Sequence, residues 1–480
     1  MIPLYDLVIH DALIVDGTLA PRYVGSIALK AGKIAAIGDI KGANAGREID
    51  ARGLTAAPGF IDVHTHDDRL LLSSPDMAPK ASQGVTTVVT GNCGISLACS
   101  PTHAVRTPPL DLLDNQGEWF RFPSFAAYRE ELAAKPSALN AACLIGHTAL
   151  RATVMDDLTR VATKTEIARM RDLAREALAS GAIGISTGTA YAPAAAATTE
   201  EIIAVCQPLG EFGGVYVTHM RNEDARITEA IDETTAIGRA LNAPVIISHH
   251  KCAGVAHHGR SRDTLQQIER AMREQQVGLD CYPYVASSTI LKAERLAQST
   301  RVIVTWSKPH PEVAGMDLDA AAAKLGLSVN EAVNTLQPAG AIYFMLDEQD
   351  VRRILAFGET MIGSDGLPHD DVPHPRLWGT FPRVLGHYCR EEKLFSLETA
   401  VYKMTGLPAK KFGLKNRGVL RVGAHADITL FDAERVIDAA DFTHSTRPAC
   451  GIHTVIVNGK PVWRNGAATG ERPGQLLTRT

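Results

Sequence analysis

Residues 214–251 read GVYVTHMRNEDARITEAIDETTAIGRALNAPVIISHHK. A short apolar run, VYV, leads into His219. A helical pattern follows, DARITEAIDETTAIGRALN (224–242), with apolar residues at i, i+3 and i+4 spacing. A second run, PVIISHHK (244–251), then carries His249. Strand, helix and strand over this length make one βα unit and the start of the next, the repeat of a parallel sheet.

The same kind of run recurs on both sides. It appears as FIDVHTH (60–66), GVTTVVTGNC (84–93), NAACLIGHTALR (140–151), AIGISTGTAY (182–191), GLDCYPY (278–284) and TMIGSDG (360–366). With the opening pair this makes eight. Helical patterns also follow at 163–181 and 261–275. Eight strand–helix units predict an α/β fold, a (β/α)8 TIM barrel, over residues 58–414. Two intervals exceed the length of one unit. The stretch from Cys93 to His147 is Pro-rich and irregular. The stretch from Tyr282 to Asp365 holds an insertion at about 286–345, between strands 7 and 8, with its own helical pattern. Insertions between a strand and its helix lie at the mouth of the barrel, where active sites form. The second is therefore expected to wall or cover a pocket.

The two chain ends read differently. Residues 1–57 and 415–480 contain short β-like runs broken by Asn-Gly and Asp-Gly hairpin signals, such as ALIVDG and HTVIVNGK. They predict one small β-sandwich or barrel domain assembled from both ends. The net charge of −4, with no basic stripe, argues against a nucleic-acid partner. No apolar run approaches the roughly 20 residues of a membrane span. The N-terminus lacks a basic region before its apolar run, so a secretory signal is not expected. The eight cysteines show no CxxC spacing, as expected for reduced thiols in a cytoplasmic protein. A monomer or small homo-oligomer is expected.

The polar residues at the strand ends carry the chemistry. His64 and His66 lie at i and i+2, on one face of an extended chain. His219, His249 and Asp365 end three further strands. Alternation along VIISHHK turns His249 and Lys251, rather than His250, toward the barrel axis. Burying four histidines and an aspartate unpaired would cost several kcal/mol. Together they read as a site for a divalent metal, with neutral imidazole favouring Zn²⁺, and Asp365 stands where a general base is needed. Cys93, in VTGNCGIS (89–96), reads either as a small buried hydrophobe or as a ligand. His147 reads as supporting or structural, and Cys143 and Cys281 as core.

The HxH on strand 1, single histidines on strands 5 and 6, the Asp on strand 8 and the PGFIDVHTH entry resemble the amidohydrolase superfamily. Many of its members carry a carboxylated Lys at the end of strand 4; this chain has TGTAY there. QGVTTVVTGNCGISLA, THMRNE, ISHHK, LDCYPYVASST and IGSDGLPHDDVPHPRLWGTFPRVL are similar to the D-aminoacylases, zinc enzymes that hydrolyse N-acyl-D-amino acids. That resemblance implies a tight zinc on Cys93, His219 and His249, and a weaker second site on His64 and His66 with Cys93 shared. It implies Asp365 as base and then acid in hydrolysis of a linear amide. It points to Lys251, Arg376, Tyr191, Tyr282 and Ser288 for substrate contacts, although Lys251 and Arg376 alone also fit ordinary ion pairs. The alternative is a cyclic-amide hydrolase of dihydropyrimidinase or hydantoinase type. The missing strand-4 Lys and the GNCG motif oppose it. A non-catalytic scaffold should lack ligands or base, and none is lacking here.

Overall fold

The computed structural model describes residues 4–40, 42, 44–100 and 108–479. Eight parallel strands form the centre: β1 (Phe60–Asp62), β2 (Val85–Thr90), β3 (Asn140–Gly146), β4 (Gly184–Gly188), β5 (Val215–His219), β6 (Val245–Ile247), β7 (Val277–Cys281) and β8 (Thr360–Ile362). Each pairs with the next in chain order. Every residue of these strands is buried, which is why they read as nearly continuous apolar runs. Helices Lys164–Ala179, Ile227–Leu241 and Ser261–Met272 follow β3, β5 and β6. The first begins with a reciprocal cap between Thr163 and Glu166 and buries one stripe, Met170, Ala174, Ala177 and Leu178.

The ring closes between β8 and β1 just beyond the strand ends. Thr65 and Gly366 form a parallel bridge. The Asp365 amide donates to the His64 carbonyl at 2.6 Å, and the His66 amide to the Gly366 carbonyl at 3.1 Å. Below this seam lies a buried polar knot. Lys80 Nζ donates to Asp62 at 2.8 Å and to Ser364 Oγ at 2.6 Å. The Ser364 amide and hydroxyl both donate to Asp62, at 2.8 and 2.6 Å. Two three-residue strands offer few ladder bonds, and these side chains supply the rest of the join.

Strands from both chain ends form one nine-stranded sheet. The halves meet where Thr55–Pro58 pairs antiparallel with Ile428–Phe431. One stretch departs from expectation. Leu476–Leu477, read as part of the small β-domain, pairs in parallel with Ala141 and Ala142 of β3. The chain end thus returns to the barrel.

The insertion after β7 holds three antiparallel strands, Ala286–Ile290, Arg301–Ser307 and Ala339–Phe344, with the last in the middle. It also holds the expected helices, Leu318–Leu325 and Val329–Thr335. The strands escaped the sequence reading because they show no apolar–polar alternation and lie among helical signals. Ser288 belongs to the first of them, so the insertion itself presents Ser288 to the barrel mouth. Among the described residues no helix is long and apolar enough to cross a membrane.

Candidate active site

Three of the residues singled out from sequence have left-handed backbones: Cys93 at φ 54°, His249 at φ 34° and Asp365 at φ 49°. Such conformations cost non-glycine residues about 1–3 kcal/mol each. Local hydrogen bonds hold them. The His249 amide donates to Asp280 Oδ1 at 2.9 Å, and the Asp365 amide to the His64 carbonyl. Around Cys93, the Asn92 side chain donates to the Val89 carbonyl at 2.8 Å and the Gly94 amide to Ser186 Oγ at 2.9 Å. A Cβ on Gly188, at the end of β4, would stand 2.1 Å from the Cys93 carbonyl oxygen. A side chain at Gly188 is therefore incompatible with this path of the Cys93 loop.

Cys93 Sγ lies 3.3 Å from His64 Nε2, 3.4 Å from His249 Nε2 and 3.7 Å from His219 Nδ1. All four side chains are buried. Asp365 Oδ1 lies 3.5 Å from His64 Nε2 and 3.3 Å from His66 Nε2. Ligand atoms of His64, Cys93, His249 and Asp365 all fall within 4.8 Å of one another, as do those of His219, Glu223 and His249. Burial holds His64 near a pKa of about 3 and His219 and His249 below the usual range, so the rings are neutral. Burial pushes the Cys93 thiol well above its usual range. A thiol in that setting ligates as thiolate when a cation opposes its charge. One sulfur and several neutral imidazoles converging in a buried site fit zinc, which takes S and N donors at tetrahedral positions. His66 faces Asp365 and belongs to neither four-atom nor three-atom group.

Asp365 is held from its other side. Arg376 Nη2 pairs with Oδ2 at 2.9 Å as an ion pair and donates to the Ser288 carbonyl at 3.1 Å. The guanidinium carbon sits 4.6 Å from the centre of the Tyr282 ring, and the Arg376 amide donates to His374 Nδ1 at 3.0 Å. Burial pushes the Asp365 carboxyl up, but Arg376, His249 and His66 outweigh it and hold it well below the usual carboxylate range. Asp365 is thus a carboxylate, with Oδ1 turned to the histidines and Oδ2 to Arg376. Arg376 Nε and Nη1 have no partner among the described residues.

A cavity at the mouth is lined by His66, His219, His249, Asp365, Lys251 and Ser288, and also by Tyr191. Tyr191 packs 4.9 Å from the His219 ring and its hydroxyl meets Thr289 Oγ1 at 3.2 Å. The Ser288 hydroxyl is buried and has no hydrogen-bond partner among the described residues. Lys251 Nζ reaches Glu223 Oε1 at 2.6 Å and His249 Nδ1 at 2.8 Å. The insertion lines the cavity as expected, and Leu112 joins from the irregular stretch after β2. Part of that stretch, 101–107, lies outside the described residues.

His249, which alternation turns toward the barrel axis, does stand beside Cys93, although β6 ends at Ile247 and His249 is in a turn. His250 points elsewhere, to Thr264 Oγ1 at 2.9 Å. His147 is structural: its Nε2 lies 3.3 Å from Glu201, which Arg151 also grips. Sequence reading missed Glu223, four residues past His219 in THMRNE, and Asp280 in LDCYPY. Glu223 lies 3.0 Å from His249 Nδ1 and 3.4 Å from His219 Nε2, and Asp280 lies 3.5 Å from His64 Nδ1. A carboxylate near a ligand histidine was the available signal.

The amidohydrolase family model matches residues 47–463. A D-aminoacylase of Alcaligenes xylosoxydans xylosoxydans is 59% identical over 476 residues, covering 99% of this chain and 98% of that protein. A solved D-aminoacylase, described with a binuclear metal centre, superposes with a TM-score of 0.97 at 57% identity, covering 99% of this chain and 100% of that one. An N-acyl-D-glutamate deacylase from Bordetella bronchiseptica, complexed with zinc and a phosphonate mimic of the tetrahedral intermediate, superposes with a TM-score of 0.95 at 44% identity. There the cover is 98% and 99%.

Proposed function

This chain belongs to the amidohydrolase family, and from that premise we propose that it is a zinc-dependent N-acyl-D-amino-acid deacylase. It hydrolyses the linear amide to a carboxylate and a free D-amino acid. The observation that carries this reading is the buried convergence of the Cys93 sulfur, three imidazoles and the Asp365 carboxylate. The full-length likeness to D-aminoacylases, one of them a solved structure with a binuclear metal centre, supports it.

Cys93, His219 and His249 would hold the tight ion, and His64 and His66, with Cys93 shared, a weaker second one. Zinc in such a site supplies Lewis acidity and lowers the pKa of water. The rest is the work of side chains. Asp365 Oδ1 faces the histidines and accepts the proton of the attacking water. Arg376 fixes Oδ2, so the carboxylate presents one oxygen in a set direction. The same Asp365 then returns that proton to the leaving amine nitrogen, which requires reach to both atoms. Lys251, the free N–H groups of Arg376, Tyr282 and the Ser288 hydroxyl receive the α-carboxylate of the substrate, and Tyr191 closes the cavity beside His219. All eight cysteines are free, which supports a reducing, cytoplasmic setting.

The test is a panel of N-acetyl-D- and N-acetyl-L-amino acids and a hydantoin, run beside metal analysis of the purified protein. Turnover of the D-amides with bound zinc is expected. Hydrolysis of the hydantoin alone would favour the cyclic-amide alternative. Full activity in metal-free protein would overturn the reading.

A further inference from the structure

His219 and His249 face Cys93 with different ring nitrogens. His219 turns Nδ1 to the sulfur and His249 turns Nε2. A nitrogen that ligates must offer a lone pair, so in each neutral ring the proton belongs on the opposite nitrogen. Those opposite nitrogens, His219 Nε2 and His249 Nδ1, lie 3.4 and 3.0 Å from the two oxygens of one carboxylate, Glu223. Glu223 is buried, four residues beyond His219, and its backbone carbonyl accepts from the Ala253 amide at 2.7 Å, just past Lys251. Its Oε1 also takes the Lys251 ammonium at 2.6 Å.

We propose that Glu223 is a positioning residue that sets opposite tautomers in the two histidines, Nε2–H in His219 and Nδ1–H in His249. It thereby aims both lone pairs at the position next to Cys93. The proposal rests on the metal reading given above and deepens it. A single carboxylate does this because its two oxygens diverge, one to each ring. Lys251 Nζ also stands 2.8 Å from His249 Nδ1, so this tautomer requires its protons to turn to Oε1 and to the His249 carbonyl, at 3.0 Å, leaving Nδ1–H to Glu223. This ties the cation proposed for the substrate carboxylate to the same anchor. Outer carboxylates of this kind orient metal-bound imidazoles and raise their basicity.

Two measurements test it. The first uses the zinc-loaded wild-type protein with ¹⁵N-labelled histidine. Long-range ¹H–¹⁵N correlation should show one ring protonated at Nε2 and another at Nδ1, assigned by the spectra of His219→Ala and His249→Ala. Both rings protonated at the same type of nitrogen would overturn the proposal without any variant of Glu223. The second is zinc affinity by competition with a chelator. Glu223→Gln offers one acceptor instead of two and should weaken zinc by about 10- to 100-fold, while Glu223→Asp recovers part of the loss. Zinc held by Glu223→Gln as tightly as by wild type would overturn the proposal. Zinc absent from wild type would instead overturn the metal reading itself.

Discussion

Arg376 Nη2 stands 2.9 Å from Oδ2 of Asp365 in an ion pair, and both side chains are buried. The sequence resemblance points to Arg376 for a substrate contact, with an ordinary ion pair as the other reading. The geometry adds an earlier duty: holding Asp365, the carboxylate proposed to move the proton, in one orientation. Arg376→Lys keeps the charge and loses the planar fork. It should lower kcat by about 10²-fold for both N-acetyl-D-methionine and its uncharged amide. Steady-state kinetics on the pair decides the matter. A change confined to KM for the acid would place Arg376 on the substrate alone.

The knot at the barrel seam predicts a stability effect with a functional echo. Lys80 is fully buried between Asp62 and Ser364, and Ser364 immediately precedes Asp365. Lys80→Met leaves Asp62 without its cation and should cost about 3–5 kcal/mol, read as a lower urea midpoint. Activity per folded molecule should fall as well. An unchanged midpoint would show that the seam does not depend on this pair.

Gly188 makes room for the Cys93 loop. In Gly188→Ala the new methyl would stand 2.1 Å from the Cys93 carbonyl oxygen, and the loop must move. Zinc affinity should drop by at least ~10-fold. Gly358→Ala, where nothing lies within 4 Å of a Cβ, is the control and should bind zinc as wild type does. Equal affinities in the two variants would refute the steric argument.

Much of this was legible in the chain, for physical reasons. A histidine at a strand end is costly unless it is used, so His64, His219 and His249 stood out. The βα period placed them at the same mouth. Glu223, Asp280, Lys80 and Asp62 stayed hidden because charged residues are common and their partners are distant in sequence. Ser364 meets Lys80 across 284 positions. The three strands of the insertion were equally silent, since VIVTW and AIYF show no apolar–polar alternation and lie among helical patterns. Leu476–Leu477 could not be placed because two residues carry no period.

The Glu201 cluster predicts an acid limit to stability rather than to catalysis. Burial pushes the Glu201 carboxyl up, but His147 and Arg151 outweigh it and hold it at about 2. A carboxylate with a lowered folded-state value contributes stability above its unfolded value near 4.3. That stability is lost as pH falls from there toward about 2. Glu201→Gln should destabilise the protein at pH 7 by about 3–5 kcal/mol, since the buried Arg151 loses its counter-charge and keeps only backbone carbonyls. It should also flatten the loss below pH 4.3. Thermal unfolding across pH measures both, and the same acid slope in wild type and variant would contradict the assignment.

The central claim is that a sulfur atom joins the imidazoles around one cation. X-ray absorption at the zinc edge of the loaded protein reads this directly. The account predicts one sulfur neighbour at about 2.3 Å beside nitrogen and oxygen at about 2.0–2.1 Å, with the sulfur lost in Cys93→Ala. A first shell of nitrogen and oxygen alone in the wild-type protein would contradict it.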